Sequence, residues 1–283
     1  MLVNFKDSLM MAQARKYAVG AFNGYNYETF KGIVDAGREC EQPVILAFGA
    51  KYLANMSLET AYAMAKSLAA EQAQPVCLHL DHCSDINTVY RAIRVGFNSV
   101  MYDGSALPLV ENMKNTQQIC AAAHACKVTV EAELGCLAAG ERSHEGSSDD
   151  VAAYTDPLQA QQFANATGVD ALAVSIGTVH GLYKGEPKLR LDLLKKIRAL
   201  VKTPLVLHGG SGLARDDIFA CIANGIVKIN INTEISVHAV ERTVQELAQG
   251  QPHFSELSLH QIGYVKEIAK KYIAFFGGQR KIR

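Results

Sequence analysis

The sequence carries no net charge, because 28 lysine and arginine residues are matched by 28 aspartate and glutamate residues. Proteins that bind nucleic acid or an anionic membrane surface concentrate positive charge, so the composition favours neither partner. A small anionic substrate remains compatible with a neutral chain, since a local site needs only a few hydrogen-bond donors.

Sequence features of secretion and membrane insertion are also missing. None of the seven cysteines belongs to a CxxC pair, which favours free thiols in a reducing compartment over a disulfide framework. No uncharged apolar run approaches the roughly 18 residues that a membrane span needs. The N-terminus lacks a charged segment followed by a long apolar one. We therefore expect a cytoplasmic protein with no membrane partner.

What the sequence does contain is a regular alternation of apolar runs and stretches of helical length. Runs rich in Val, Ile, Leu and Ala are typical of parallel strands that are buried on both faces. Pro43, Pro75 and Pro204 stand at strand starts, where a missing N–H costs least. The eight runs occupy residues 17–23, 43–49, 75–82, 98–105, 127–135, 170–181, 204–212 and 225–234.

The segments between the runs carry helix signals. Residues 57–72 begin with Ser57 as a candidate N-cap. Residues 156–168 begin with an aspartate followed by proline and end at a glycine, which is the usual order of helix start and stop signals. Eight strand–helix units of similar length predict the α/β fold class and a (β/α)8 TIM barrel.

The predicted barrel covers residues 1–283 as a single domain, a size that such barrels commonly reach. A doubly wound open sheet is the structural alternative, but eight near-equal units leave no obvious edge strand. Helices over 236–249 and 260–275 predict a C-terminal helical arm at about 236–283.

Polar side chains follow most of the predicted strands. Ionisable groups at the end of an apolar strand cost free energy unless they are paired or do chemistry, and the active sites of TIM barrels form at the carboxyl ends of the strands. Seven of the eight strands end in polar side chains, which favours an active site over isolated, satisfied polar groups. The residues concerned are Asn23, Asp81, His82, Asp103, Glu131, Glu133, His180, His208, Asn230 and Asn232.

Three of these residues are histidines on different strands: His82, His180 and His208. Three imidazoles with one open position make a catalytic zinc site, in which the ion activates water or polarises a carbonyl. Buried histidines also serve as hydrogen-bonded core residues, and the spacing alone leaves both interpretations open.

Two glycine-bearing segments favour a phosphate site. "HGGSG" (208–212) follows the seventh strand and "NINT" (230–233) follows the eighth, where TIM barrels usually bind phosphate. The alternative is a plain glycine-rich turn. The long polar loop over 135–156 predicts a lid with Glu141 as a candidate acid or base, or else a solvated charged loop.

The segments "LHLDHCSD", "YDGSALPLVENM", "VEAELG", "IGTVHGLYKGEPKL", "LVLHGGSG" and "KININTE" resemble the signatures of the class II, zinc-dependent ketose-bisphosphate aldolases. That family includes fructose- and tagatose-bisphosphate enzymes. The resemblance runs from about residue 5 to 278. It implies a lyase that cleaves a ketose 1,6-bisphosphate to dihydroxyacetone phosphate and glyceraldehyde 3-phosphate.

The resemblance also implies roles for individual residues. His82, His180 and His208 match the zinc ligands, and Asp103 and Glu133 match an alternate zinc position. Asp81 matches the catalytic aspartate, and Glu141 resembles a mobile-loop glutamate that moves the carbon-bound proton. The expected ion is Zn²⁺, with Na⁺ or K⁺ as a candidate second ion. The residues that match substrate contacts are Asn23, Gly181, Gly209, Gly210, Ser211, Asn230, Ile231, Asn232 and Thr233.

Within "LHLDHCSD" we expect His79 to be a hydrogen-bonded core residue, Cys83 to be a bystander and Asp85 to cap the next helix. Cys83 stands where the family commonly has glycine, the lid motif is altered, and "FGAKY" has no serine or threonine near the phosphate. Arg280 is a candidate for the far phosphate. These departures leave the choice among fructose, tagatose and related phosphorylated ketoses, of the deoxy-gluconate or sulfo-sugar type, open.

Two other classes of function compete. A zinc hydrolase on the same barrel usually has an HxH pair after the first strand, and "AFNGYN" has no histidine. A non-catalytic partner subunit would have lost zinc ligands or the aspartate, and all four residues are present. By analogy with the family, we expect a homodimer or homotetramer.

Overall fold

Eight parallel strands close into a barrel in the computed structural model, which describes residues 1–143 and 153–277. The strands follow one another around the barrel in chain order, and β8 pairs with β1 to close it. The predicted (β/α)8 TIM barrel is confirmed. The strands are β1 (Val19–Asn23), β2 (Val44–Gly49), β3 (Val76–Cys83), β4 (Ser99–Tyr102), β5 (Thr129–Leu134), β6 (Ala171–Val174), β7 (Leu205–Leu207) and β8 (Ile226–Ile231).

Ten α-helices accompany the strands within the described residues, and a short 3-10 helix at Ala50–Ala54 follows β2. One helix precedes the barrel, eight follow its strands, and the last packs against α2 and α9. The helices are α1 (Lys6–Arg15), α2 (Tyr27–Glu39), α3 (Leu58–Ala70), α4 (Ile86–Val95), α5 (Leu109–Ala125), α6 (Pro157–Thr167), α7 (Leu191–Leu200), α8 (Arg215–Ala223), α9 (Thr233–Leu247) and α10 (Phe254–Phe276).

Local capping explains where several helices start. The Ser57 side chain accepts from the N–H of Thr60 at the start of α3. The Asp85 carboxylate accepts from two backbone N–H groups at the start of α4, which confirms its predicted capping role. Asp156 caps α6, and Gly168 ends that helix in the left-handed region, where glycine has no Cβ penalty.

Helix α1 was not predicted, and it fills the amino-terminal end of the barrel. Phe5 and Leu9 are fully buried and pack with the small and branched side chains that β1, β2, β6 and β7 direct into the barrel. Lys6 forms an ion pair of 3.0 Å with the buried Asp170 carboxylate. Apart from this ion pair, the apolar cluster around Phe5 and Leu9 fills this end of the barrel, and the polar groups of the interior lie toward the opposite end.

Strand six is shorter than the predicted run over 170–181. The barrel strand ends at Val174, and a separate two-residue strand at Val179–His180 pairs with Ala138–Ala139 from the loop after β5. Gly177 lies between the two strands with φ +108, a conformation that turns the chain out of the barrel and that favours glycine. His180 therefore ends this separate short strand and not the sixth strand of the barrel.

The C-terminal region is helical, as predicted, with different boundaries. Helix α9 starts at Thr233, and α10 starts at Phe254 because His253 and Glu256 form a capping box there. Residues 278–283, including Arg280, lie outside the described residues. The single-domain boundary at 1–283 stays a prediction.

Across residues 1–143 and 153–277, no helix combines the length and the apolar character needed to span a bilayer.

Candidate active site

Three histidines converge at the carboxyl end of the barrel. His82 ends β3, His208 follows β7, and His180 comes from the short strand after β6. The ring centroid of His82 lies 4.9 Å from that of His180 and 4.4 Å from that of His208. One ring nitrogen of each histidine lies within 4.8 Å of the others, so the structure brings together residues separated by up to 126 positions.

The backbone of His82 is unusual. The pairing of β3 with β4 is irregular between Leu80 and Cys83, and His82 has φ +43, a region that non-glycine residues rarely adopt. Such outliers persist only where the surrounding structure enforces them, and they cluster at functional sites. Here the irregularity turns the imidazole toward the other two histidines.

Carboxylates determine which ring nitrogen of His82 and of His208 faces the centre. Nδ1 of His82 lies 2.9 Å from Oδ2 of Asp103, and Nε2 of His208 lies 2.9 Å from Oε1 of Glu131. A carboxylate only accepts, so both of these nitrogens are N–H donors. The opposite nitrogens, Nε2 of His82 and Nδ1 of His208, face each other at 2.6 Å.

This donor set fits a divalent metal ion. Three imidazoles, each able to direct one nitrogen to a common centre and two of them held by carboxylates, are the usual surroundings of a catalytic zinc ion. A second group of possible ligands, His82, Asp103 and Glu133, adjoins the first. Oε2 of Glu133 is buried and has no hydrogen-bond partner among the described residues.

Burial and neighbouring charges shift the pKa values of the ionisable side chains in this cluster. Burial, followed by the charge of Asp103, raises the pKa of Glu133 well above its usual range. Burial alone disfavours the His82 imidazolium, but the carboxylates of Asp81 and Asp103 raise its pKa well above the usual value. Burial and the charge of His82 hold the pKa of His208 well below it. A proton therefore resides on His82 where a cation would bind.

Asp81 lies at the same end of the barrel and is fully buried. Oδ2 accepts from the amide of Asn23 at 2.8 Å, and Oδ1 accepts from the amide of Asn230 at 3.1 Å. Burial would raise the pKa of Asp81, but the charges of His82 and Lys228 outweigh it, so the pKa is lowered. The carboxylate is thus ionised and held in place from both sides.

The phosphate-site residues predicted from the sequence also lie together. Gly209 has φ +69, and a Cβ there would collide with the carbonyl oxygen of Val179. The N–H of Gly210 donates to the carbonyl of Asn230 at 3.0 Å, which joins the loops after β7 and β8. Oγ of Ser211 accepts from the N–H groups of Asn232 and Glu234.

The remaining predicted contacts differ in what they can present to a ligand. Gly181 has φ +109 and packs against the backbone of Glu141. The side chain of Ile231 belongs to the hydrophobic core, so only its main chain is available to a ligand. Thr233 is the first residue of α9, and the positive end of a helix dipole attracts phosphate.

Glu141 lies beside the loop that carries His180. Its backbone pairs with Leu182 through two hydrogen bonds, and its side chain is exposed. The part of the lid that would set its position, residues 144–152, lies outside the described residues. Its predicted role as a proton carrier stays a prediction.

Three polar residues around the site were not predicted from the sequence. Lys228 is fully buried in β8 and pairs with Glu131; its signal was a lysine within the apolar run "GIVKININ". The Tyr52 hydroxyl accepts from the Asn232 amide at 2.9 Å. Tyr272 of α10 contacts the loop after β7 through the N–H of Gly212 at 3.0 Å, which no local pattern indicates.

The amino-acid sequence is similar to that of a known protein family. The family described as fructose-bisphosphate aldolase class-II matches residues 3–281. A relative named sulfofructosephosphate aldolase from Alkalicoccus urumqiensis is 36% identical, and the alignment covers 99% of this chain and 98% of the relative. An uncharacterised protein, YdjI from Escherichia coli (strain K12), is 38% identical, with 95% of each chain covered.

Two crystal structures have the same fold. The YdjI aldolase from Escherichia coli K12 superposes with a TM-score of 0.88 at 37% identity, over 100% of both chains. A putative fructose-1,6-biphosphate aldolase from Coccidioides immitis superposes with a TM-score of 0.87 at 27% identity, over 95% of this chain and 94% of the other.

Proposed function

The chain belongs to the class II fructose-bisphosphate aldolase family, and from that premise we propose that it cleaves a ketose 1,6-bisphosphate reversibly. The resemblance found in the sequence is thereby confirmed, and the family makes the protein a lyase that typically uses a divalent metal. We propose fructose or tagatose 1,6-bisphosphate as the substrate, dihydroxyacetone phosphate and glyceraldehyde 3-phosphate as the products, and Zn²⁺ as the metal.

The observation that carries this proposal is the placement of Asp81 beside three convergent histidines. An ionised carboxylate held by two amides is a proton acceptor in a defined position. The three imidazoles supply nitrogen ligands once His82 has lost its extra proton, and nitrogen ligands suit zinc better than magnesium or calcium. Neither group alone specifies aldol chemistry, but both lie at the end of the barrel where TIM-barrel enzymes bind substrate.

The protein residues have separate tasks in the proposed reaction. His82, His180 and His208 would hold Zn²⁺, which when bound would supply Lewis-acid stabilisation of the negative charge that develops as the carbon–carbon bond breaks. Asp81 accepts the proton of the hydroxyl group on the aldehyde side of that bond, whose oxygen becomes the aldehyde carbonyl. The bonding electrons remain with the dihydroxyacetone phosphate half, to whose carbon Glu141 delivers a proton.

The loops after β7 and β8 are proposed to hold the phosphate of the dihydroxyacetone phosphate half. Gly209 and Gly210 bring backbone close to the ligand, and Ser211 offers a hydroxyl group. Asn232 and Thr233 stand at the start of α9, where the helix dipole favours an anion. Na⁺ or K⁺ beside the phosphate is a further part of the proposal.

A second substrate class has specific support. The relative from Alkalicoccus urumqiensis is named a sulfofructosephosphate aldolase and aligns over almost the whole chain. A sulfonate keeps a tetrahedral anion where a bisphosphate substrate has its second phosphate. A phosphorylated sulfo-sugar is therefore the leading alternative, and a deoxy-gluconate type ketose is another.

The test is aldol cleavage of fructose 1,6-bisphosphate, tagatose 1,6-bisphosphate and a phosphorylated sulfofructose by the purified protein. The released triose phosphate is measured before and after zinc removal with a chelator. We expect cleavage of one of them, loss of activity with the chelator, and recovery when zinc is returned. Activity that survives complete removal of zinc would refute the metal-dependent mechanism.

Oligomeric state is a separate question from the reaction. The homodimer or homotetramer expected by analogy with the family stays a prediction, and sedimentation analysis of the purified protein would decide between them.

A further inference from the structure

We infer that Lys228, a residue that takes no part in the proposed reaction, is a positioning residue that orients a metal-facing histidine and the catalytic aspartate together. The inference rests on the proposed function. It concerns a side chain beneath the site that neither binds the metal nor carries a proton in the reaction. It follows from the partners of a single buried ammonium group.

Lys228 lies in β8 with a side chain that is fully buried inside the barrel. Its Nζ is 3.0 Å from Oε1 and 2.8 Å from Oε2 of Glu131, which is also fully buried. The same Nζ donates to Oδ1 of Asn230 at 2.8 Å. A charge at this depth is tolerated only when it is paired and hydrogen bonded, and Lys228 meets both conditions.

One partner of Lys228 reaches the metal-facing side of the site. Oε1 of Glu131, paired with Lys228, accepts from Nε2 of His208 at 2.9 Å. This contact selects the tautomer in which Nδ1 of His208 is free to act as a ligand. Carboxylates that hold a ligating histidine in this way typically change metal affinity by about 10–100-fold when they are altered.

The other partner reaches the catalytic carboxylate. An asparagine amide can be rotated by 180°, which exchanges its oxygen and its nitrogen. Because Lys228 donates to Oδ1 of Asn230, the NH₂ group must point the other way, and there it donates to Oδ1 of Asp81 at 3.1 Å. Without the lysine, the amide could turn its oxygen toward the Asp81 carboxylate.

A lysine in an aldolase raises the question of Schiff-base chemistry, and the geometry of Lys228 opposes it. A Schiff-base lysine must be a neutral amine that reaches the substrate carbonyl. Lys228 is sealed from solvent, is paired with a carboxylate, and already directs its protons to Glu131 and Asn230. Its position suits orientation of its neighbours and does not suit attack on a substrate.

The competing explanation is that Lys228 only neutralises Glu131. The two explanations separate in variants in which Glu131 carries no charge. In Glu131→Gln the amide oxygen can still accept from His208, and Lys228 can still donate to Asn230. In Lys228→Met/Glu131→Gln, neutral groups of similar volume replace the buried ion pair, a change that is often tolerated. This double variant differs from Glu131→Gln in lacking the Lys228 donor to Asn230.

The experiment compares Glu131→Gln with Lys228→Met/Glu131→Gln, both saturated with zinc. Zinc affinity is measured by competition with a chromogenic chelator, and kcat and KM are measured on the ketose bisphosphate that the wild-type protein cleaves. We expect zinc affinities that agree within about threefold, because both variants retain the acceptor for His208. We expect kcat of the double variant to be lower by about tenfold or more, with little change in KM, because the Asn230 amide is no longer fixed in the orientation that donates to Asp81.

A matched control addresses the lysine-to-methionine change itself. Lys114 is exposed on α5, and Lys114→Met should leave kcat and zinc affinity unchanged. A further variant, Lys228→Gln/Glu131→Gln, restores a donor to Asn230. Its kcat should lie within about fivefold of that of Glu131→Gln, because an amide can replace the ammonium as donor.

The outcomes are distinct. Equal kcat values for Glu131→Gln and the methionine double variant would overturn the inference and leave Lys228 as a counter-charge only. If the methionine double variant does not fold, the glutamine double variant decides: a fall in its kcat of more than about tenfold, despite the retained donor, would equally overturn the inference. Failure of the wild-type protein to cleave any ketose bisphosphate would instead refute the proposed function.

Discussion

Nε2 of His82 and Nδ1 of His208 lie 2.6 Å apart, with their rings nearly perpendicular at 84°. This separation is short for two lone pairs and is typical of a shared proton. On a tetrahedral zinc ion with Zn–N distances of 2.0–2.1 Å, two ligand nitrogens are about 3.3 Å apart. Zinc binding therefore requires the proton to leave and the two rings to separate by less than ~1 Å.

Zinc affinity should increase with pH. The pKa of His82 lies well above its usual value because, against the effect of burial, Asp81 and Asp103 favour the imidazolium. Below that pKa, zinc must displace one proton, so affinity should rise about tenfold per pH unit and level off above the pKa. Chelator competition at pH 6, 7 and 8, with calorimetry in two buffers to count released protons, would measure it. An affinity that is constant over this range would contradict the shared proton.

Substitution of Asp81 and of His180 should separate chemistry from metal binding. Asp81→Asn should retain zinc while cleavage falls by about 10²–10⁴-fold, the usual contribution of a general acid–base group. His180→Ala should lose more zinc affinity than the 10–100-fold typical of an outer hydrogen-bond partner. Metal analysis of both purified proteins, beside their rates, is the measurement. Loss of zinc from Asp81→Asn would mean that Asp81 supports the metal site structurally.

Gly209 should tolerate alanine less well than Gly168, although their backbone conformations are similar. Gly209 has φ +69 and Gly168 has φ +71, but only Gly168 has open space where a Cβ would lie. Gly168→Ala should therefore cost only the left-handed conformation, about 1 kcal/mol. Gly209→Ala adds a collision with Val179 and should cost about 2 kcal/mol more, in the range of strained backbone positions.

Denaturant unfolding of the two glycine variants gives the comparison, and substrate titration gives its functional counterpart. Displacement of the loop at Gly209 should raise KM for a phosphorylated substrate, whereas Gly168→Ala should not change it. Equal free energies of unfolding for the two variants would show that the loop at Gly209 moves aside without cost.

Removal of the Tyr272 hydroxyl should weaken phosphate binding by the loop after β7, although Tyr272 itself lies outside that loop. That hydroxyl donates to Glu234 and accepts from the N–H of Gly212 at 3.0 Å, while its ring stays packed among Phe275 and Phe276. Tyr272→Phe keeps the ring and should destabilise the ordered conformation of the loop after β7 by about 1 kcal/mol. This loss should raise KM about fivefold. Steady-state kinetics measures the rise.

Tyr264→Phe is the matched control for Tyr272→Phe. Tyr264 lies on α10 like Tyr272, but its hydroxyl donates to Glu246 of α9 at 2.7 Å, away from the loop after β7. KM should stay at the wild-type value in this variant. A similar rise in KM for both tyrosine variants would show that α10 as a whole, and not the Tyr272 hydroxyl, affects the loop.

The parts of the site that depend on strand order could be predicted from the sequence. The hydrophobic runs predict where strands end, and parallel strands in a closed barrel bring their carboxyl ends together whatever their separation in sequence. His82 and His208 were found in this way. His180 was selected in the same way and lies with the other two histidines, but it belongs to a separate short strand and not to the sixth barrel strand, because the turn at Gly177 resembles part of an apolar strand in the sequence.

Contacts that depend on side-chain packing could not be predicted from the sequence. Helix α1 has a weak pattern because only two of its residues, Leu9 and Ala12, are buried. Lys228 appeared to be a single polar interruption in an apolar strand, and its meaning depends on Glu131, which is 97 residues away. Whether such a residue faces solvent or the barrel interior follows from register and strand tilt, which local periodicity does not encode.

The sequence by itself determined the barrel, the family and the set of residues able to bind a metal, because hydrophobic period, turn chemistry and short motifs are local properties. Only the tertiary structure decided how those residues are oriented. Which nitrogen of each histidine faces the centre, which way the Asn230 amide points, and which cation holds it there all depend on hydrogen bonds between distant strands. Those bonds form only when the barrel closes and excludes water.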